Sequence, residues 1–167
     1  SGVRGESWDE RDPSLSLPSS TVLASSWSKD IACRFGAVLA AEARNKNVDV
    51  VLGPTINLHR TPYGGRHFEC MSEDPLLTGA LAAAYVGGLQ DNGVGATPKH
   101  YVANDFEADR FTVNVVVGER ALEELYLRPF ADVVAAGAWS VMSSYNSING
   151  ATSSENDLLD DPLRTDW

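Results

Sequence analysis

The sequence predicts an α/β fold built on parallel strands. Three short apolar runs alternate with long segments of helical periodicity, which is typical of βα units and not of a β-sandwich. No repeat of fixed period accompanies them, so a solenoid is not expected. Hydrophobic residues make up 43% of the 167 residues and charged residues 22%, as in an ordinary globular domain.

The first elements follow from composition and periodicity. Residues 1–20 mix glycine, proline, serine and charges without apolar periodicity, and they predict a long irregular loop. Apolar residues at helical spacing over 26–47, after a Ser28 cap, predict a helix. The β-branched run VDVVLGP, which ends in glycine and proline, predicts the first strand.

The same alternation continues along the chain. The segment DPLLTGALAAAYVGGLQDNG predicts a second helix, with Asp74 as its cap and Pro75 in its first turn, and VGATPKHYV predicts the next strand. The segment ERALEELYLRPFADVVAAG predicts a third helix that Pro129 kinks, and WSVMSSYN follows it as a strand. A fourth helix is expected to begin near Asn156.

Polar residues collect where the predicted strands end. They are residues 54–66 after the first strand, Lys99 and His100 in the second, and Ser144, Tyr145 and Asn146 in the third. In parallel α/β folds this is the face where ligands bind, because the loops there vary while the sheet holds them rigidly.

Two interpretations of the basic residues remain open at this point. Lys99, His100, Arg66 and Arg4 offer hydrogen-bond donors to a ligand rich in hydroxyl oxygens. The alternative is structural ion pairing with acidic residues, because such networks are common. The acidic candidates are Glu69, Glu73, Asp105 and Glu107.

Several classes of function fit the sequence poorly. The formal charge of −10 disfavours nucleic acid as a partner, and no apolar run is long enough to cross a membrane. The first residues lack the order of a signal peptide. There is no GxSxG elbow, no HExxH, no GxGxxG after a strand and no phosphate-binding GxxxxGK[ST].

Neither the histidines nor the cysteines predict a metal or redox site. His59, His67 and His100 are scattered along the sequence, and the first two are expected to make local hydrogen bonds in loops. Cys33 and Cys70 lie in different predicted elements without a CxxC spacing, which favours two buried thiols over one disulfide.

Three ordered stretches resemble the N-terminal barrel domain of glycoside hydrolase family 3. They are LGPTINLHRTPYGGRHFECMSEDP, then ATPKHYVANDFEADR, then ERALEELYLRPF with SVMSSYNSING, and their order and spacing match the family across nearly the whole chain. The resemblance implies a partial (β/α)₈ TIM-type barrel with parallel strands. Residues 1–167 would form a single incomplete domain of a larger multidomain hydrolase, with the remainder of the parent chain as its partner.

The resemblance also implies an activity. The parent would be a retaining hydrolase that releases terminal β-linked sugars from small-molecule or oligosaccharide β-glycosides, without a metal or other cofactor. The stretch KHYVANDFEADR lacks the GHGD text of the β-N-acetylglucosaminidase branch, so the chain is similar to the β-glucosidase and β-xylosidase branch. The alternative is a non-catalytic carbohydrate-binding or interaction module.

Particular residues inherit roles from this resemblance. Those expected to contact sugar hydroxyls are Arg4, Arg66, Lys99 and His100, and those expected near the anomeric centre are Met142 and Tyr145. A cis peptide bond is expected between Lys99 and His100.

The residue types alone give the aromatic candidates for stacking on a sugar, although any one aromatic residue is more often part of a core. They are Trp8, Trp27, Tyr101 and Tyr145.

The two carboxylates of a retaining mechanism are not assigned within this chain. The resemblance places the nucleophilic Asp after Trp167, the acid/base in a second domain, and a sugar-binding Asp upstream of Ser1. Asp166 matches the helix before the nucleophile strand and is not expected to be the nucleophile. The chain by itself is therefore expected to bind sugar without hydrolysing it.

Overall fold

The computed structural model describes residues 2–4 and 13–167, so Trp8 lies outside the described residues. The α-helices are α1 (Ser20–Ala24), α2 (Lys29–Asn45), α3 (Pro75–Gln90), α4 (Glu119–Ala121) and α5 (Arg128–Ala135). A π-helical segment covers Leu122–Leu127, and two 3₁₀ turns cover His67–Glu69 and Asp157–Leu159. The strands are β1 (Val50–Val51), β2 (Gly95–Ala96), β3 (Lys99–Tyr101), β4 (Asn114–Val115), β5 (Met142–Ser143), β6 (Ser147–Ile148) and β7 (Ala151–Thr152).

The strands confirm the predicted parallel sheet. β1 lies parallel to β2, and a parallel bridge between Thr55 and Lys99 extends this pairing to β3. β3 lies parallel to β5, with Lys99 opposite Met142. The three predicted strands are thus neighbours in chain order, and among the described residues they do not close into a barrel.

Predicted caps explain where the long helices begin. The Ser28 side chain accepts a hydrogen bond from the amide of Ile31 at 3.3 Å, so α2 begins just after it. The Asp74 carboxylate accepts from the amide of Leu76 at 2.8 Å, and Pro75 occupies the first turn of α3. Both helix starts are therefore fixed by local sequence.

Three local features differ from the sequence-based expectations. Ser19 caps the short helix α1, which was not predicted. The third helix contains a π-helical segment immediately before Pro129, where the missing amide hydrogen disturbs the regular ladder. The fourth predicted helix is only a 3₁₀ turn followed by further turns, and Pro162 has no amide hydrogen with which to extend it.

A close crossing of α2 and α3 forms the centre of the helical layer. Gly36 of α2 lies against the backbone of Tyr85, and Gly88 of α3 lies against the carbonyl of Cys33. A side-chain carbon at either glycine would overlap backbone atoms of the other helix. Glycine at both positions therefore lets the helices that precede β1 and β2 approach each other closely.

Replacing Gly88 by alanine is expected to lower the free energy of unfolding by about 2–4 kcal/mol, because the added methyl group forces the two helices apart. Chemical denaturation of the native protein measures the change. Gly87→Ala is the matched control, because a Cβ at Gly87 meets nothing within 4 Å. Equal stability of the Gly87 and Gly88 variants would contradict the close-crossing explanation.

Tyr101 and Trp27, two of the aromatic candidates for stacking on a sugar, differ in how far they are buried. Tyr101 is 2% exposed and packs edge-to-face on Phe130, with ring centroids 5.0 Å apart, while its hydroxyl donates to the Leu158 carbonyl at 2.8 Å. Tyr101 is therefore a core residue and not a stacking platform. Trp27 is 77% exposed and lies just after α1.

Among the described helices, none is both long and apolar enough to cross a bilayer.

Candidate functional site

The polar residues at the strand ends meet in one network. The turn at 61–69 supplies Arg66 and Glu69, and Gly65 in this turn has a φ of +71°, a conformation that favours glycine. β3 supplies Lys99 and His100. The connection after β5 supplies Tyr145.

The Glu69 carboxylate contacts both cationic side chains of the network, Arg66 and Lys99. The Arg66 guanidinium donates to both carboxylate oxygens, with Nε to Oε1 at 2.8 Å and Nη2 to Oε2 at 2.9 Å. The Thr55 hydroxyl donates to Oε2 at 3.1 Å, and Lys99 Nζ lies 3.6 Å from the same oxygen. Glu69 therefore holds an arginine and a lysine from different parts of the chain in fixed positions.

The pKa values follow from this pairing. The hydrogen bonds that Arg66 donates to Glu69 raise the pKa of Arg66, against the opposing effect of burial. Burial works against ionisation of Glu69, but Arg66 and Lys99 outweigh it, so the pKa of Glu69 lies below its usual value. Burial lowers the pKa of Lys99, and the charge of Glu69 acts in the opposite direction. Glu69 is thus an ionised anchor and is not suited to donate a proton.

Asn57 fixes both the backbone and the ring of His100. Its Oδ1 accepts from the His100 backbone amide at 2.9 Å and lies 3.1 Å from His100 Nδ1, while its Nδ2 donates to the His100 carbonyl at 2.9 Å. An amide oxygen can only accept, so Nδ1 carries the proton. The Lys99–His100 peptide bond is cis, as the resemblance predicts.

The other ring nitrogen of His100 faces Arg66. Nε2 lies 3.3 Å from Arg66 Nη1, and because a guanidinium only donates, Nε2 is the acceptor. Burial lowers the pKa of His100 to about 3, and the charges of Arg66 and Lys99 act in the same direction. The imidazole is therefore neutral at physiological pH.

An aromatic rim borders the network. The Tyr145 ring lies 5.1 Å from the His100 ring and 5.2 Å from the Phe111 ring, in the latter case edge-to-face. The Arg110 guanidinium lies 4.2 Å above the Tyr145 ring and pairs with Glu107. Phe111 is 70% exposed, so this rim offers an apolar surface to solvent beside the charged groups.

Arg4 and Met142 lie beside the network. Arg4 lines a cavity of about 630 Å³ together with Glu69 and Lys99, whereas Arg66, His100 and Tyr145 lie outside that lining. Met142 is half-buried in β5, directly opposite Lys99 in the ladder.

Part of the alternative, structural ion-pairing interpretation is also observed. Arg66 pairs with Glu69 and lies 3.7 Å from Glu107. Asp105 instead accepts from the Leu58 amide at 2.8 Å, and burial raises the pKa of Asp105 to about 6. Ion pairing and ligand binding are compatible here, because the pairs leave donors of Arg66 and Lys99 at the strand ends.

His59 and His67 are not scattered, which corrects the sequence-based interpretation. Their rings lie 4.9 Å apart, and His67 precedes the buried Cys70 by three residues. Both imidazoles make local hydrogen bonds to backbone carbonyls, as expected for loop residues. Cys33 and Cys70 are both free thiols, with Cys33 half-buried.

Sequence reasoning missed Asn57 and the Arg110–Phe111 pair. Asn57 did carry a signal, since it is a polar residue between two apolar ones at a strand end, but its partner depends on the register between the strands. Arg110 and Phe111 lie in the loop after β3, where nothing in the sequence fixes side-chain positions.

Residues 11–167 match the model of the glycosyl hydrolase family 3 N-terminal domain. The chain is 48% identical over 168 residues to β-glucosidase B of Emericella nidulans, with 99% of this chain and 20% of that protein covered. It is 47% identical over 156 residues to a β-glucosidase of Rhizobium radiobacter, with 92% of this chain and 19% of that protein covered. The chain spans about a fifth of the length of these curated relatives.

The chain also superposes on parts of solved β-glucosidase structures. The crystal structure of β-glucosidase from Kluyveromyces marxianus superposes with a TM-score of 0.97 at 44% identity, covering 99% of this chain and 21% of that one. β-Glucosidase 3B from Thermotoga neapolitana, solved in complex with glucose, superposes with a TM-score of 0.92 at 42% identity, covering 100% of this chain and 24% of that one.

Proposed function

Because the chain belongs to glycosyl hydrolase family 3 through its N-terminal domain, we propose that it carries the sugar-binding residues of a retaining β-glucosidase. The observation that supports this most is the convergence of Arg66, Lys99 and His100 on one site. Each lies at the end of a strand or in the turn beside it, and Glu69 and Asn57 hold them in place. The complex of the Thermotoga neapolitana enzyme with glucose supports glucose as the ligand.

The site suits a neutral, hydroxyl-rich ligand. Arg66 and Lys99 supply donors, while the neutral imidazole of His100 supplies an acceptor at Nε2. A sugar hydroxyl can donate and accept at once, so it matches this mixture better than a phosphate or carboxylate, which only accept. Tyr145 and Phe111 offer an apolar surface for the sugar ring.

Neither carboxylate of the retaining mechanism is assigned to this chain. Glu69 pairs with Arg66, and Glu107 pairs with Arg110. We place the nucleophile beyond Trp167 and the acid/base in another domain, as the family resemblance implies. Arg4, Met142 and Tyr145 complete the proposed sugar site around Arg66, Lys99 and His100.

The full-length parent protein is expected to hydrolyse p-nitrophenyl β-glucoside, with p-nitrophenyl β-xyloside as the competing substrate, and to release the β-anomer first. Lys99→Ala is expected to lower kcat/KM by at least tenfold, because a charged donor to the sugar is lost. Lys29→Ala, at an exposed lysine in the first turn of α2, is the matched control.

A non-catalytic sugar-binding module is the second candidate, and the same experiment separates the two. Glucose binding without hydrolysis of either substrate would favour the module. Hydrolysis that survives Lys99→Ala undiminished would remove Lys99 from the site.

A further inference from the structure

Two imidazoles and a thiol lie together behind the turn that carries Arg66 and Glu69. One ligand atom from each of His59, His67 and Cys70 lies within 4.8 Å of the other two. Both histidines are half-buried, and Cys70 is buried. None of these three side chains is required for the proposed sugar contacts, so the cluster needs a separate explanation.

The hydrogen bonds of the imidazoles are those expected of metal ligands. His59 Nε2 lies 3.0 Å from the His67 carbonyl oxygen, and His67 Nε2 bonds to the Thr61 carbonyl. A ring nitrogen that faces a carbonyl oxygen carries the proton, which leaves the lone pair on Nδ1 of each ring. Metal-binding histidines almost always donate their other N–H to such an oxygen, because this fixes the ring and its tautomer.

The loop is also shaped to keep the ring of His67 in the cluster. A Cβ at Gly64 would overlap this ring, so glycine at that position leaves room for it. The thiol of Cys70 points back to the Arg66 carbonyl, with Sγ 3.7 Å from that oxygen. Burial raises the pKa of the Cys70 thiol to about 12, and the negative charge of Asp105 acts in the same direction, so the thiol is protonated until a bound cation offsets both effects.

We propose that His59, His67 and Cys70 bind a zinc-type transition-metal ion, with a further coordination position open to water. Two nitrogens and a sulfur select zinc or copper over magnesium or calcium, which prefer oxygen ligands. Neighbouring ligands of a tetrahedral zinc lie about 3.4–3.7 Å apart, so the three ligand atoms need to approach one another by at most about 1.4 Å on binding. Cys70 binds as the thiolate, and each ion therefore displaces one proton from its sulfur.

Cobalt(II) tests this proposal directly, because it replaces zinc and absorbs visible light. The native protein, stripped with a chelator, is expected to bind one Co²⁺ per chain at this site with a thiolate-to-cobalt charge-transfer band. Zinc added afterwards should remove the band. Cys70→Ser is expected to lose the band, and His67→Asn to weaken Co²⁺ binding by a factor on the order of ten to a hundred.

Cys33→Ser is the matched control, because Cys33 is the second free thiol of the described chain and lies in α2 outside the cluster. This variant should keep the full band. If Cys70→Ser fails to fold by circular dichroism, His59→Gln must show the same weakening in its place. A wild-type protein without the band, a band that survives the loss of Cys70, or Co²⁺ binding of unchanged affinity in His59→Gln would overturn the proposal. Sugar hydrolysis is not measured, so the result is independent of the proposed function.

Discussion

Replacement of Arg66 by alanine is expected to lower kcat/KM for an aryl β-glucoside by about 10²- to 10³-fold, or about 3–4 kcal/mol of transition-state stabilisation. The guanidinium donates to Glu69 and to His100 Nε2, and it is only 22% exposed. Its removal takes a charged donor from the proposed sugar site and leaves Glu69 with Lys99 as its nearest cation. The lost donor and the lost partner of Glu69 both affect the proposed sugar site.

Two further variants distinguish a role of Arg66 in sugar binding from a purely structural role in ion pairing. Arg66→Lys keeps the charge but loses the two-pronged contact with Glu69, so an intermediate loss is expected. Arg120→Ala removes an exposed arginine that pairs with Glu124 at 2.9 Å, and its kcat/KM should stay within twofold of wild type. If the Arg66→Ala protein is folded and still binds glucose as the wild type does, Arg66 serves only in structural ion pairing.

Replacement of Asn57 by aspartate is expected to raise the pKa of His100 from about 3 to the range of an ordinary histidine, about 6.5. A carboxylate opposite Nδ1–H favours the imidazolium, whereas the amide oxygen of Asn57 carries no charge. The protonated ring would lose its acceptor at Nε2 and repel Arg66. We therefore expect kcat/KM of the variant to fall as the pH drops below about 6.5.

The stability of the wild type should depend on pH more strongly than the stability of Asn57→Asp. In the wild type the folded state keeps His100 neutral down to about pH 3, while the unfolded state binds a proton near pH 6.5. Acidification over this window therefore removes up to about 5 kcal/mol of stability, at about 1.4 kcal/mol per pH unit. The variant should lose less over the same window, because its folded state also takes up the proton.

Nuclear magnetic resonance titration of the His100 ring and denaturation between pH 3 and 7 measure these effects. Asn114→Asp is the control, because Asn114 is an exposed asparagine whose Oδ1 also accepts a backbone amide, that of Gly150 at 2.8 Å. An unchanged His100 titration in Asn57→Asp would contradict the hydrogen-bond assignment.

The sequence predicted those parts of the site that depend on strand ends. Lys99, His100 and Tyr145 could be located because polar residues at the ends of apolar runs in a parallel sheet share one face. The α2 and α3 starts could be located because a cap acts within three residues of itself.

The remaining features depend on contacts between segments, which periodicity does not report. Asn57 reaches His100 only because Thr55 bridges to Lys99 and sets the register of the two strands. His59 and His67 are eight residues apart in sequence, and only the path of the loop between them brings their rings together.

The Glu69 carboxylate, which Arg66 and Lys99 share, also determines whether these two side chains lose their rotamer entropy on folding or on ligand binding. Arginine and lysine each have about 2 kcal/mol of rotamer entropy, which a flexible site would lose at the moment the ligand arrives. Here Glu69 already holds Arg66 at 2.8 Å and Lys99 at 3.6 Å, so their ordering occurs during folding. For the monosaccharide of the proposed sugar site, which makes few contacts, this means that less of the binding energy would be consumed in ordering the protein.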